Sequence, residues 1–310
     1  MTNHRTDPPS YEGRPLARPE EELVDQGLQF DIGTLLSRRG MFGIAGAGAL
    51  GLTLAACSTG ASASSSSSTT ASGTASATAT ATSSTGLTEI PDETNGPYPA
   101  DGTNGPDILE ESGVVRSDIT SSFGTSTTKA EGVPMTLTLT ILDMAGGGGA
   151  FAGVAVYAWH CNASGNYSMY SEGLENENYL RGVQIADSAG KVTFTSIYPA
   201  CYSGRWPHVH FEVYPDEASI TDADKRICTS QLAFPKDACD AVYATSLYSA
   251  SVANFAAVSL TTDNVFGDDG GAHQMGTVTG SVADGYQVAL TVPIDTTTTP
   301  TGGSTPGPGR

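Results

Sequence analysis

Basic residues are scarce in this chain: 14 Lys and Arg stand against 33 Asp and Glu, for a formal net charge of −19. The few that occur form no stripe on which a phosphate backbone could lie, which argues against nucleic-acid binding. Scattered acidity keeps an exported protein soluble and names no substrate by itself. Helical periodicity is scarce too, and no repeat of fixed period is visible. The most apolar stretch, within residues 37–58, is diluted with glycine and short of the roughly 20 strongly apolar residues of a membrane span. No Cys-x-x-Cys pair occurs, so a Cys-rich zinc site has little support. Glycine (37), proline (17) and Ser/Thr/Ala runs are plentiful instead, so the foldable part is shorter than the 310 residues of the chain.

The organisation follows from composition. Residues 1–57 read as an export signal: Arg38-Arg39, a Gly/Ala-rich apolar stretch, then Leu-Ala-Ala-Cys57. The paired arginines resemble the bacterial twin-arginine type, and the Cys57 motif resembles a lipoprotein cleavage box, which implies a lipid on Cys57 and a membrane-anchored or extracellular protein. A non-cleaved membrane anchor is the competing reading. Residues 58–86 form a Ser/Thr/Ala-rich disordered tether and 294–310 a disordered tail. Between them, 87–293 is one domain.

Within that domain Met135-Thr-Leu-Thr-Leu-Thr-Ile-Leu142 alternates strictly and Ala152–Trp159 nearly so, which predicts a hairpin or neighbouring strands across Gly146–Gly149. Further strands are expected at Lys191–Ile197, Val209–Val213 and Gln287–Val292, and one short helix within 238–255. The fold class is all-β, a β-sandwich core with long loops and at most short helices. With Cys57 lipidated, Cys161, Cys201, Cys228 and Cys239 remain, an even number in an exported chain. The expected disulfides are Cys161–Cys201 and Cys228–Cys239.

The chemistry centres on Tyr202-Ser-Gly-Arg-Trp-Pro-His208-Val-His210. Residues two apart on a strand share a face, so His208 and His210 are placed to share a metal. Gly204 and Pro207 turn the chain, bringing Tyr202 and Arg205 back towards the same point. Upstream, Trp159-His160-Cys161-Asn162-Ala-Ser-Gly-Asn-Tyr167 leaves a strand for a turn, from which Tyr167 reaches the same pocket. Phenolate and imidazole donors together favour Fe(III) over zinc or Cu(I). His160 lies on the opposite face from Trp159 and is not counted as a ligand, and His273 sits in a Gly-rich loop. Tyr157, Tyr170, Tyr179 and Tyr198 are rival phenols.

These motifs resemble the intradiol ring-cleavage dioxygenases, over Asn95–Tyr98, Arg116–Ile119, Trp159–Tyr167, Leu180–Gln184, Gly190–Ile197 and Pro199–Phe211. The resemblance implies a mononuclear non-haem Fe(III), one per chain, held by Tyr167, Tyr202, His208 and His210, with Tyr167 the phenol that leaves the metal and Tyr202 the one that stays. It implies insertion of both atoms of O2 into a catechol-type ring, which opens between its hydroxylated carbons to a muconate-type diacid. Arg205 matches an arginine that stabilises carbanion character in the ring, Gln231 a glutamine near the substrate, and Tyr98 and Trp159 pocket aromatics. Each has a plainer reading: Arg205 paired with Glu212, Gln231 serving strand-end backbone, Trp159 in the core, Tyr98 in a turn. The sequence departs from the family at Ala200-Cys201 before Tyr202 and at Asn95, where relatives carry an acid. A non-catalytic surface module binding aromatic or carbohydrate polymers is the alternative function, and extradiol chemistry at Fe(II) a third. The ring substituents and the oligomeric state have no readable signal.

Overall fold

The strict alternation of residues 135–142 becomes a strand in which Met135, Leu137, Leu139 and Ile141 are buried and the threonines between them are half-exposed. The computed structural model describes residues 10–11, 14–15 and 86–303. The expected export signal with Arg38, Arg39 and Cys57, and the tether up to residue 85, lie outside the described residues apart from a two-residue ladder pairing Ser10–Tyr11 with Arg14–Pro15. The strands of the domain are β1 (Pro134–Asp143), β2 (Gly149–Ala150), β3 (Ala155–Trp159), β4 (Arg181–Ile185), β5 (Lys191–Ile197), β6 (His208–Tyr214), β7 (Cys228–Ala233), β8 (Thr277–Ser281) and β9 (Gly285–Ile294). The helices α1 (Lys236–Tyr243) and α2 (Ser251–Ala257) are short, so the fold is all-β. Among the described residues no helix is long and apolar enough to cross a membrane.

Two sheets face each other. In the first, β9 lies parallel to β1, with β8 outside it and β5 antiparallel on the other side of β1. The second is antiparallel throughout, in the order β4-β3-β6-β7. Strands β1, β5 and β9 bury alternate residues, as expected of a sheet with one solvated face. Strands β3, β6 and β7 are buried at every position. Their sheet is therefore covered twice, by the first sheet on one face and by loops on the other. One apolar cluster, including Leu137, Leu139, Phe194, Val209, Phe211, Val213 and Val292, joins the two sheets.

Three expectations are corrected. The strands at 135–142 and 152–159 do not form a hairpin: β1 and β3 belong to different sheets, and the Gly146–Gly149 turn only returns the chain to β2, which pairs with Leu142 and Asp143. The uninterrupted burial of β3 marks it as a strand of the doubly covered sheet. The single helix is two, separated where Thr245 turns its hydroxyl onto the Val242 carbonyl at 2.7 Å and competes with the helical ladder. The tail expected to be disordered from 294 is placed as far as 303. Ile294 ends β9, Thr298 Oγ1 donates to Glu89 at 2.9 Å, and the Gly303 N–H donates to the Glu93 carbonyl at 2.9 Å.

Candidate metal centre

Strand register lines up one row of side chains across the second sheet. Arg181 on β4 pairs with Trp159 on β3, Trp159 with His210 on β6, and His210 with Gln231 on β7. Paired residues of antiparallel strands point to the same face, so these four side chains stand side by side beneath the loops. His208 lies two residues along β6 on that face. Trp159 is fully buried and stacks on the His210 imidazole, centroids 4.9 Å apart and planes 4° from parallel. It is therefore a packing residue that fixes His210.

The phenols arrive from loops. After β3 the Asn162 side chain accepts the N–H groups of Ser164 (2.9 Å) and Asn166 (3.0 Å), a turn that Gly165 completes at φ +87°. This turn directs Tyr167 back over the sheet. Tyr202 is held through its neighbour: the Cys201 N–H donates to Ser251 Oγ at 3.0 Å and Asn254 donates to the Cys201 carbonyl at 3.0 Å, both from α2. The 94–99 segment closes the site from above. Gly96, at φ +70°, lies so close to His210 that a Cβ there would stand 3.1 Å from Cε1. The Tyr98 ring lies 4.9 Å from that of Tyr167.

Four donor atoms converge as a result. Tyr167 Oη is 3.5 Å from Tyr202 Oη, Tyr202 Oη is 3.1 Å from His208 Nε2, and His208 Nε2 is 3.1 Å from His210 Nε2. His208 Nδ1 donates to the Trp206 carbonyl at 2.6 Å, which leaves the Nε2 lone pair facing inward. His210 Nδ1 is buried without a partner. Two imidazole Nε2 atoms and two phenol oxygens thus face one another with no carboxylate or thiolate among them, a donor set that fits a hard cation. Burial, with the Arg205 charge next, holds His208 down to about 3, and burial keeps His210 well below the usual range, so both are neutral donors. Burial also pushes Tyr202 up to about 12 and Tyr167 well above a normal phenol. A bound cation reverses that direction. Among the described residues no group of three His, Cys, Asp or Glu side chains is placed to hold a metal, so the phenols are what completes this donor set.

Arg205 stands beside the donors, and its partner is not Glu212. Nε donates to Asp263 Oδ2 at 3.0 Å and a terminal nitrogen to Gln231 Oε1 at 2.6 Å. Glu212 instead accepts from Tyr214 at 2.8 Å and faces Arg226 at 3.8 Å. Gln231 spends its amide on Thr94 O (3.0 Å) and Arg205, so it positions the arginine. Asp263, which the sequence reading missed, also accepts the Trp206, Val265 and Phe266 N–H groups at 2.6, 2.8 and 3.0 Å. Its only sequence cue is an acid in a turn-forming run. Arg181 was missed as a site residue as well. It is fully buried, donates to the Tyr98 and Pro99 carbonyls at 2.8 and 3.1 Å, and lies 6.0 Å from the Tyr167 ring centre.

Of the rival phenols, Tyr157 donates to Pro99 O (2.7 Å), Tyr170 to Asn104 (2.7 Å), Tyr179 meets Asn162 (3.3 Å) and Tyr198 meets Cys239 (3.2 Å), all away from the cluster. His160 binds Ser196 Oγ at 2.7 Å and is not a ligand. The expected disulfides are absent: Cys161, Cys201, Cys228 and Cys239 are all free and buried. Cys161 and Cys201 direct their thiols to the carbonyls of Ala200 (3.6 Å) and Arg205 (3.4 Å), and Cys239 meets the Tyr198 hydroxyl.

The family profile described as Dioxygenase matches residues 104–265, more than half of the chain, and spans Tyr167, Tyr202, Arg205, His208, His210, Gln231 and Asp263. The chain belongs to this dioxygenase family. The solved intradiol ring-cleavage dioxygenase from Tetranychus urticae is 22% identical and superposes with a TM-score of 0.53, over 68% of this chain and 96% of that one. A second solved dioxygenase is 20% identical with a TM-score of 0.53, over 67% and 95% of the two chains. Likeness at these identities fixes the shared fold. Among curated proteins no match is found.

Proposed function

We propose that this dioxygenase opens catechol-type rings between the two hydroxylated carbons, giving a muconate-type diacid, at an Fe(III) held by Tyr167, Tyr202, His208 and His210. The observation that carries the proposal is the convergence of two phenol oxygens and two imidazole Nε2 atoms without a carboxylate or thiolate among them. Hard anionic phenolates with neutral imidazoles favour the ferric state, whereas two histidines and a carboxylate suit Fe(II). When bound, the ferric ion supplies a Lewis-acid anchor for both diol oxygens and the electronic coupling that makes the ring reactive towards O2.

The chain's residues do the rest. Tyr167, which reaches the cluster from the 162–166 turn, is the phenol that takes a proton from the diol and yields its place, while Tyr202, whose neighbour Cys201 is pinned to α2, stays. The Tyr167 ring then stays among Tyr98, 4.9 Å away, and Arg181. Arg205 offers its guanidinium to negative charge developing on the ring. Because Asp263 and Gln231 already hold it, little reorganisation is needed at that moment. Export through Arg38-Arg39 and a lipid on Cys57 belong to the same reading, supported by the sequence pattern alone.

The test is turnover of catechol by iron-loaded protein under isotopically labelled dioxygen. A diacid carrying both labelled atoms supports the assignment. A semialdehyde, from cleavage beside the diol, or no product at all contradicts it.

A further inference from the structure

Arg181 joins pieces of the chain that the proposed chemistry leaves unexplained. It is fully buried, and among the described residues it makes no ion pair. The hydrogen bonds of its side chain go to neutral oxygens instead. Nε donates to Ser168 Oγ at 3.1 Å and Nη2 to the Ser168 carbonyl at 3.0 Å, while Nη1 donates to the Tyr98 and Pro99 carbonyls at 2.8 and 3.1 Å and to Tyr157 Oη at 3.2 Å. One guanidinium thus ties the residue after Tyr167 to the stretch whose Tyr98 ring lies 4.9 Å from the Tyr167 ring. Its own main chain is fixed in β4, where its carbonyl accepts from Arg116 Nη2 at 2.7 Å. A buried cation without a counter-ion costs more than an apolar side chain of similar volume, so packing alone does not account for it.

The same junction is where the backbone is strained. Among the described residues three non-glycine residues have φ in the left-handed region: Ala100 at +52°, Met169 at +71° and Leu180 at +58°. Ala100 follows Pro99, Met169 follows Ser168 and Leu180 precedes Arg181, so each adjoins one of the pieces that the guanidinium joins. Side chains are disfavoured in that region because Cβ crowds the backbone, and such residues persist where their surroundings over-determine them.

We infer that Arg181 is the positioning residue of the Tyr167 ligand, fixing the main chain beside it so that the phenol stands ready at the donor cluster, with the strain at Ala100, Met169 and Leu180 as the consequence. The clamp acts on the main chain, so when the phenol yields its place the movement is a rotation of the side chain. The inference rests on the proposed function, because it takes Tyr167 to be a metal ligand.

The experiment is a double-mutant cycle read by competition for ferric iron with a chelator, with the visible spectrum recorded on the same samples. The proteins are wild type, Arg181→Lys, Tyr167→Phe and the double variant; lysine keeps the charge and loses the fork. Arg181→Lys is expected to weaken iron binding about tenfold and to move the tyrosinate-to-Fe(III) band in the wild-type background, and to change affinity by less than about twofold in the Tyr167→Phe background. A residue that merely supports the fold weakens binding by the same factor in both backgrounds. That result, or no effect in either, overturns the inference and leaves the function standing. If Arg181→Lys does not fold, Met169→Gly, which relieves the left-handed residue beside Ser168 and keeps Arg181, takes its place in the cycle with the same expectation and the same refutation. If Tyr167→Phe binds iron as tightly as wild type with an unaltered band, the ligand assignment itself falls, and the inference with it.

Discussion

Replacing Asp263 with asparagine removes one charge and leaves the shape almost intact, which isolates what holds Arg205. Oδ2 accepts from Arg205 Nε and the Trp206 N–H, and Oδ1 accepts from the Val265 and Phe266 N–H groups. An asparagine offers one oxygen, so in either orientation its NH2 confronts two donors. Both partners are sequestered, with side-chain exposures of 11% for Arg205 and 0% for Asp263. Burial alone would raise the Asp263 carboxyl, but the Arg205 charge and the backbone donors outweigh it and hold it below the usual carboxylate range. Breaking such a pair on one side costs about 3–5 kcal/mol. For a domain of this size that is a fall in Tm of roughly 10 °C. With Arg205 no longer fixed, kcat/KM for catechol should drop about 100-fold, comparable to losing a preorganised donor. The assays are calorimetry and steady-state kinetics on iron-loaded protein. A Tm within about 2 °C of wild type together with unchanged kcat/KM would refute the role given to Asp263, since neither effect can vanish if Arg205 depends on it.

Three further outcomes follow from the same geometry. Gly96→Ala forces a Cβ into the left-handed region and 3.1 Å from His210 Cε1, so it should lose roughly 1–2 kcal/mol of stability and weaken iron binding about tenfold in a chelator competition; unchanged iron affinity would contradict the close approach. A chain spanning 87–303, unfolded without reductant, should titrate four thiols, whereas two or none would restore the disulfides. Glu93 has a folded pKa of about 8, above its unfolded value of about 4.3, so the folded state binds the extra proton between them and stability falls as pH rises across that window. Glu93→Gln should flatten this part of the Tm-against-pH curve, and a slope that persists in the variant would place its origin elsewhere.

How much was legible in the sequence depended on whether local pattern or long-range pairing decides a feature. Residues 135–142 and 191–197 alternate because one face is solvated, and both became strands close to their expected limits. Arg181–Ile185 and Cys228–Ala233 were not foreseen: Cys228–Ala233 is buried at every position, which erases the period of two, and Arg181–Ile185 is buried over its first three. The hairpin misassignment came from adjacency in sequence, which suggested pairing, while the choice between two sheets is made by partners 151 residues away, such as β9 beside β1. His208 and His210 could be placed on one face from spacing alone. That Tyr167 and Tyr202 would meet them depended on turns at Asn162–Asn166 and on α2 holding Cys201, contacts visible only in the folded chain. Asp263 carries no local signal of its role, since it acts across 58 residues on Arg205.

The ferric centre is tested most directly by its colour. Iron-loaded protein should show a visible tyrosinate-to-Fe(III) band that moves to longer wavelength when catechol is added without oxygen. Replacement of Tyr202 by phenylalanine should remove much of that band, because its phenol lies 3.1 Å from His208 Nε2 at the centre of the donor set. A protein that stays colourless after reconstitution with ferric iron would contradict the assignment of Tyr167, Tyr202, His208 and His210 as its ligands.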